Sequence, residues 1–245
     1  LISRFYNVND GKVLIDDQDI ADVTIHSLRA QMGIMMQDSF IFSGTIADNI
    51  RYGKLDATQE EIEAACKKAS VHEFIMSLPD GYGTVIGEGG ATLSGGEKQK
   101  IAIASVNATE PRVYVFDEPS ANLDMASVEA LRVLMARLKA SGHTLIVAEH
   151  RLYYLTELAD RFIYMQDGRI SETWTPTAFL AMSEEKRRAK GIRAAELSRV
   201  TTEALPVPAA LPSLEVEHLR FSYRKREVFS GLSFTAYSGE IVAIC

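Results

Sequence analysis

Short apolar runs that end in polar residues recur along the chain, separated by stretches of helical periodicity. Val13-Leu14-Ile15-Asp16 follows the turn Asn9-Asp10-Gly11 and predicts a short strand. Met32-Gly33-Ile34-Met35-Met36 predicts another, ending at Gln37, and its methionines read as core rather than as a cofactor box. From about 45 to 78 the pattern turns helical, with Ile62, Ala65, Ala69 and Phe74 at helical spacing and Glu60, Glu61, Glu63, Lys67 and Lys68 between them. Asp80-Gly81-Tyr82-Gly83 predicts a turn and residues 87–90 a loop. Val113-Tyr114-Val115-Phe116, unbroken and followed by Asp117-Glu118, reads as a strand buried on both faces. Residues 125–140 predict a helix with Val128, Leu131, Met135 and Leu138 on one face and Gly142 as its stop. Thr144-Leu145-Ile146-Val147-Ala148 predicts a second buried strand, ending in Glu149-His150. Phe162-Ile163-Tyr164-Met165 before Asp167-Gly168 predicts a strand entering a hairpin.

Strands alternating with helices predict an α/β fold around a parallel sheet. Gln37, Asp117, Glu118 and His150 follow the carboxyl ends of three strands, and open α/β sheets bind ligands at that rim. Residues 1–6 read as the back of a helix, and 183–200 as a charged helix whose basic stretch, from Lys186 to Arg193, forms a solvated face. Pro206, Pro208 and Pro212 mark a stiff linker over 205–212. Strand signals resume over 214–244.

Composition narrows the picture. The chain has 245 residues, 47% hydrophobic and 24% charged, enough for one large or two small domains with a useful core. A net charge of −7 argues against nucleic acid as the main partner, since phosphate backbones need a basic surface. Cys66 and Cys245 form no C-x-x-C pair, so neither a metal site nor a disulfide framework is expected from them. No apolar run approaches bilayer length, so a membrane role is expected to come through a partner.

Two strings carry candidate chemistry. In Leu93-Ser94-Gly95-Gly96-Glu97-Lys98-Gln99, Ser94 predicts a helix N-cap and Glu97 completes a capping box. Gly95 and Gly96 leave backbone N–H groups approachable at a helix start, where phosphate is attracted; an ordinary capped helix reads the same way. In Phe116-Asp117-Glu118-Pro119-Ser120-Ala121-Asn122-Leu123-Asp124, adjacent carboxylates at a strand end suit metal-assisted hydrolysis, one holding Mg²⁺ and the other orienting water; a solvated turn is the alternative. Alone, His150 reads as structural and Gln37 as a surface amide.

Taken whole, these strings resemble those of the ABC transporter ATPases, a P-loop NTPase family. Residues 93–99 resemble its signature sequence, which implies that Ser94, Gly95, Gly96 and Glu97 contact nucleotide held by a second domain. Residues 116–124 resemble the Walker B strand and the loop after it, implying Asp117 as Mg²⁺ ligand, Glu118 as catalytic base and Asp124 facing the partner subunit. His150 matches the switch histidine that contacts the γ-phosphate. Met35-Met36-Gln37-Asp38 resembles the Q-loop, implying that Gln37 senses Mg²⁺ and the attacking water and abuts the membrane domain. Thr84-Val85-Ile86-Gly87-Glu88 resembles the segment of exporters that touches intracellular coupling helices, and Tyr223 falls where the family stacks an aromatic ring on adenine. The resemblance implies ATP and Mg²⁺, a second ATPase domain met head to tail, transmembrane domains as partners and a peripheral place on the cytoplasmic face of the membrane. A soluble ABC protein acting on ribosomes or DNA fits the acidic balance and the exporter-like 41–50 less well.

Residues 1–104 resemble an exporter ATPase, whereas 107–245 resemble a duplicated ATPase of the energy-coupling-factor or cobalt type. No G-x-x-x-x-G-K-[ST] occurs in the sequence, so the phosphate-wrapping loop of the family has no counterpart in it. The chain is expected to be a fragment. Residues 1–180 would be an ATPase domain without its Walker A loop, with a helical subdomain over about 38–105. Residues 181–212 would be a charged helix and linker, and 213–245 the first strands of a second ATPase domain. Expected functions are the ATP-hydrolysing subunit of a transporter, or a non-catalytic half lending its signature surface. A strand over 241–244 is expected beside 113–116, completing the sheet.

Overall fold

The computed structural model describes residues 1–37, 40–87, 93–121, 123–196, 212–223, 226–238, 240 and 242. They fall into two units, Leu1–Leu197 and Ser198–Cys245.

The first unit opens with a two-stranded antiparallel ribbon, β1 (Leu14–Ile15) and β2 (Gln18–Asp19), and a short helix α1 (Ile25–Ala30) capped by Thr24. Strand β3 (Met32–Met35) leads to β4 (Gly44–Thr45). A helical layer follows: α2 (Ile46–Arg51), α3 (Gln59–Lys68) and α4 (His72–Ser77), then β5 (Val85–Ile86), paired antiparallel with β4, and α5 (Gly95–Asn107). The chain then alternates: β6 (Val113–Asp117), α6 (Met125–Ala140), β7 (Thr144–Ala148). An antiparallel pair, β8 (Phe162–Gln166) and β9 (Arg169–Trp174), precedes α7 (Pro176–Leu180) and α8 (Glu184–Ala189).

Strands β3, β6 and β7 form a parallel sheet with β6 in the middle. Its register sets Met35 opposite Phe116 and Phe116 opposite Val147, so alternate residues share the face packed on the helices. The core joins that face to the helical layer. Ile46, Ile50, Ile62, Ile75, Ile86, Ile101 and Phe116 are fully buried within it. Each such side chain contributes about 1.5–3 kcal/mol by leaving water. Cys66 lies in the same cluster, and burial pushes its thiol up to about 11. A smaller cluster stacks Phe162 on Phe179, ring centres 4.1 Å apart. The second unit contains one antiparallel hairpin, β10 (Pro212–Tyr223) and β11 (Arg226–Tyr237).

The α/β class, the capping box at Ser94, α6 and the β8–β9 hairpin match the sequence reading. Five expectations change. Residues 1–6 are an irregular turn rather than a helix, because Arg4 has φ +55° and its guanidinium donates to the carbonyls of Ile20 and Val23, both at 2.8 Å. The helical stretch from 45 to 78 is three helices, two of them begun by the capping boxes of Thr45 and Thr58. The charged helix predicted over 183–200 ends at Ala189, with Gly191 at φ +67° supplying the stop; residues 197–200 lie outside the described set.

Strand β7 is only half-buried, with Ile146 38% exposed. Among the described residues it pairs on one edge alone. Conversely, both edges of β6 are taken by β3 and β7, so the strand expected beside 113–116 has no place there. Residues 241, 243 and 244 lie outside the described set, as do the linker over 205–211 and the loop over 88–92.

Gly53 lets the end of α2 approach α5: a Cβ there would sit 1.9 Å from the Ser105 carbonyl oxygen. Gly53→Ala is expected to lower stability by at least about 1–3 kcal/mol, the usual cost of overpacking, in urea unfolding.

Candidate functional site

Two parallel strands end in step at the rim. Asp117 stands opposite Ala148, and the Glu118 N–H donates to the Ala148 carbonyl at 2.8 Å, one residue beyond the last strand pair. The chain then turns sharply, with Glu118 at φ +43°. A non-glycine residue held in the left-handed region costs about 1–3 kcal/mol and marks a site worth attention.

The structure brings three of the predicted residues together at this turn. The Gln37 amide, just past β3, donates from Nε2 to Glu118 Oε2 at 3.3 Å. His150 Nε2, just past β7, lies 3.4 Å from Glu118 Oε1. The Glu118 carboxylate is therefore approached from both flanking strand ends, one oxygen each. All three side chains keep access to solvent, as a site for an incoming ligand requires. Asp117, the neighbouring carboxylate, is exposed.

Ser94 and Glu97 form the predicted capping box at the start of α5. The Glu97 N–H donates to Ser94 Oγ at 3.3 Å and the Ser94 N–H to Glu97 Oε2 at 2.7 Å. Gly96 allows close packing of α5 on α6, since a Cβ there would meet Ser127 Oγ at 2.5 Å. Asp124 caps α6, accepting the Ser127 N–H at 2.7 Å, and hydrogen bonds from Ser127 hold its carboxyl below the usual range. Ser94, Gly95, Gly96 and Asp124 thus mark the starts of two packed helices, distinct from the Glu118 cluster. Tyr223 lies on β10 of the separate unit, and Asn122 is outside the described residues.

Three residues that the sequence reading passed over hold this geometry. Gln99, buried on α5, donates to the Pro119 carbonyl and so ties the signature-like helix to the turn after Glu118. Asn49 is buried in α2. Its amide donates to the Phe42 and Thr45 carbonyls at 3.0 Å each, and its oxygen accepts the Phe42 N–H at 2.8 Å, fixing the segment beyond Gln37. Glu149 is half-buried at the end of β7 and accepts from Ser120, His150, Arg151 and Tyr154. Burial pushes its carboxyl up, but these hydrogen bonds outweigh that and hold it below the ordinary value. For none of the three does the local sequence show whether water or a backbone group will satisfy the side chain.

Near the Gln37 side of the rim, Phe40, Phe42 and Tyr52 form an exposed aromatic run, with ring centres 4.7 and 4.4 Å apart. The 84–87 segment joins it through the β4–β5 pair and the Ile46 N–H to Thr84 carbonyl bond of 3.0 Å. Glu88 of that predicted segment is outside the described residues.

Residues 1–121 match the family model described as ABC transporter. Together with the parallel sheet and its rim, this defines an ATP-binding domain of the ABC transporter class. The chain carries such a domain, related to the exporters of the Atm1 and sub-family B member 6 type. It is 47% identical over 175 residues to the putative multidrug export ATP-binding/permease protein YgaD of Bacillus subtilis, covering 71% of this chain and 30% of that protein. It is 42% identical over 181 residues to ATP-binding cassette sub-family B member 6 of Homo sapiens, covering 74% of this chain and 21% of that protein. A solved bacterial Atm1-family ABC exporter with ATP bound superposes with a TM-score of 0.66 and 41% identity, over 73% of this chain and 31% of that one. The chain thus spans less than a third of each relative's length. An alignment of 175 residues is longer than either 1–104 or 107–245, so the exporter likeness runs across that join.

The depressed Glu149 carboxyl gives a pH test. The unfolded chain binds a proton near the ordinary value of 4.5, whereas the folded chain holds out to lower pH. Stability contributed by Glu149 is therefore full at pH 7 and lost as pH falls through its lower folded value. Urea unfolding should show wild type more stable than Glu149→Gln at pH 7, with the gap closing progressively below pH 4.5.

Proposed function

We propose that this chain is part of the ATP-binding and ATP-hydrolysing subunit of an ABC exporter, with Glu118 as the catalytic base. The observation that carries this reading is the convergence of Gln37 and His150 on the two oxygens of Glu118. A general base must be oriented and within hydrogen-bond reach of the water it activates. In this arrangement Gln37 fixes one carboxylate oxygen and His150 borders the other, where a γ-phosphate would meet both the imidazole and the attacking water.

The donors fit Mg²⁺ held jointly with a nucleotide. Among the described residues no cluster of three or more His, Cys, Asp or Glu could hold a metal by itself. Mg²⁺ characteristically takes one or two protein ligands and completes its shell with phosphate oxygens and water. Asp117 and Gln37 would supply those ligands, and the ion when bound would neutralise charge developing on the transferred phosphoryl group. No G-x-x-x-x-G-K-[ST] occurs within these 245 residues, so none of the residues named here is assigned to a phosphate cradle.

Ser94, Gly95, Gly96 and Glu97 would close on nucleotide held by a second ATPase domain, with Asp124 near that interface and Tyr223 reserved for adenine. The exposed run Phe40, Phe42 and Tyr52, braced by Asn49 and the 84–87 segment, suits docking on transmembrane domains. Among the described residues no helix is long and apolar enough to cross a membrane, so we place the domain peripherally on the cytoplasmic face through such a partner. An energy-coupling-factor or cobalt-type origin for 107–245 rests on the strings 117–124 and 148–152, and the start of a second ATPase domain over 213–245 on the strand-like run 240–244 and Tyr223 in the sequence.

These 245 residues contain no G-x-x-x-x-G-K-[ST], so this stretch purified alone is expected not to turn over ATP; the alternative reading is a half that lends its signature surface to a competent partner. Steady-state phosphate release by the purified chain should stay at background with ATP and Mg²⁺. Turnover above background that disappears in Glu118→Gln would contradict the inactivity while supporting the assignment of the base. ATP-dependent association with a phosphate-loop-bearing ATPase domain, lost in Ser94→Arg, is the expected positive result.

A further inference from the structure

Glu149 serves two loops at once. Its Oε1 accepts the backbone N–H groups of its own loop, His150 at 2.8 Å and Arg151 at 2.9 Å. Its Oε2 accepts the Ser120 N–H, from the loop after β6, at 3.1 Å and the Tyr154 hydroxyl at 2.8 Å. These are the loops that carry His150 and Glu118. We infer that Glu149 is a positioning residue: it ties the loop of Glu118 to the loop of His150 and so sets the spacing between those two side chains. The catalytic meaning of that spacing rests on the ATPase reading above, but the tie itself does not.

The chemistry of the side chain makes the inference specific. A carboxylate offers acceptor sites on both oxygens, whereas an amide of the same shape has one oxygen and one NH₂ group. In Glu149→Gln the oxygen remains with the adjacent His150 and Arg151 amides, which approach from one side. The NH₂ then faces the second loop. The Tyr154 hydroxyl can rotate and accept from it, but the Ser120 N–H cannot, so two donors confront each other there. Glutamine should therefore keep the β7 loop intact and release the β6 loop. Arg151 provides a weaker parallel link, its guanidinium donating to the Ser120 carbonyl at 3.3 Å, so the loops should loosen without separating.

Residue-by-residue amide hydrogen exchange on the 245-residue chain, followed by NMR, tests this. In Glu149→Gln the Ser120 amide should lose about tenfold or more in protection, the loss expected for one charge-assisted hydrogen bond. The His150 and Arg151 amides should keep theirs, and the nuclear Overhauser contact between the His150 ring and the Glu118 side chain should weaken. Tyr154→Phe keeps the carboxylate and should leave both readouts as in wild type. An unchanged Ser120 amide overturns the inference. So does a uniform loss of protection along β6 and β7, which would make Glu149 a general stabiliser. Loss of the ring contact in Tyr154→Phe as well would assign the tie to the tyrosine and equally overturn it. No readout requires ATP, so a failed tie leaves the ATPase reading standing, and absent ATPase chemistry leaves the tie measurable.

Discussion

The site depends on two parallel strands finishing at the same level. Because Asp117 stands opposite Ala148, the first residue beyond β6 still finds a backbone partner on β7, and the Glu118 amide is satisfied while its side chain leaves the sheet. A one-residue slip would send Glu118 to the other face, since side chains alternate along a strand. The register is held from within the sheet: Tyr114 and Phe116 are buried against the helices, and Gly33 fits between Val106 and Pro111, where a side chain would clash. Chemistry at the rim is thus fixed by apolar packing a few residues away.

The helical layer is coupled to that rim by polar side chains buried for the purpose. A buried amide without a partner costs more than an exposed one, so Gln99 and Asn49 sit where they do only because carbonyls meet them. Through Gln99 the helix beginning at Ser94 cannot shift without disturbing Pro119, the residue next to Glu118. The start of a helix and the turn after a strand, separate in sequence, therefore behave as one mechanical piece. The left-handed conformation of Glu118 belongs to that piece, its N–H donating to the Ala148 carbonyl and its carbonyl accepting the Ala121 N–H.

Most of the sheet and the central cluster were legible from sequence for one reason. Gln37, Glu118 and His150 each follow soon after an apolar run, and a polar residue there marks the exit of a strand at the ligand-bearing rim. The same logic failed where burial is decided by tertiary neighbours. Residues 144–148 read as fully buried, yet a strand acquires two covered faces and two paired edges only if other elements supply them. Glu149, Gln99 and Asn49 looked like ordinary polar residues, since nothing local shows whether water or a backbone group will satisfy them. The turn at 1–6 was missed because Arg4 is drawn out of helical geometry by distant partners, the carbonyls of Ile20 and Val23, and the early end of α8 because Gly191 stops the helix while the charged pattern runs on past it.

Cys66 gives the helical layer a gauge of its own. Its sulfur lies on the buried face of α3 and ionises only well above neutral pH, so neither access nor reactivity is available while the layer stays shut. A thiol reagent reaches that atom only in moments when α3 parts from the helices packed around it. The speed at which Cys66 is alkylated therefore clocks those openings, with no fluorophore or tag introduced, and would register whether docking on a partner slows them.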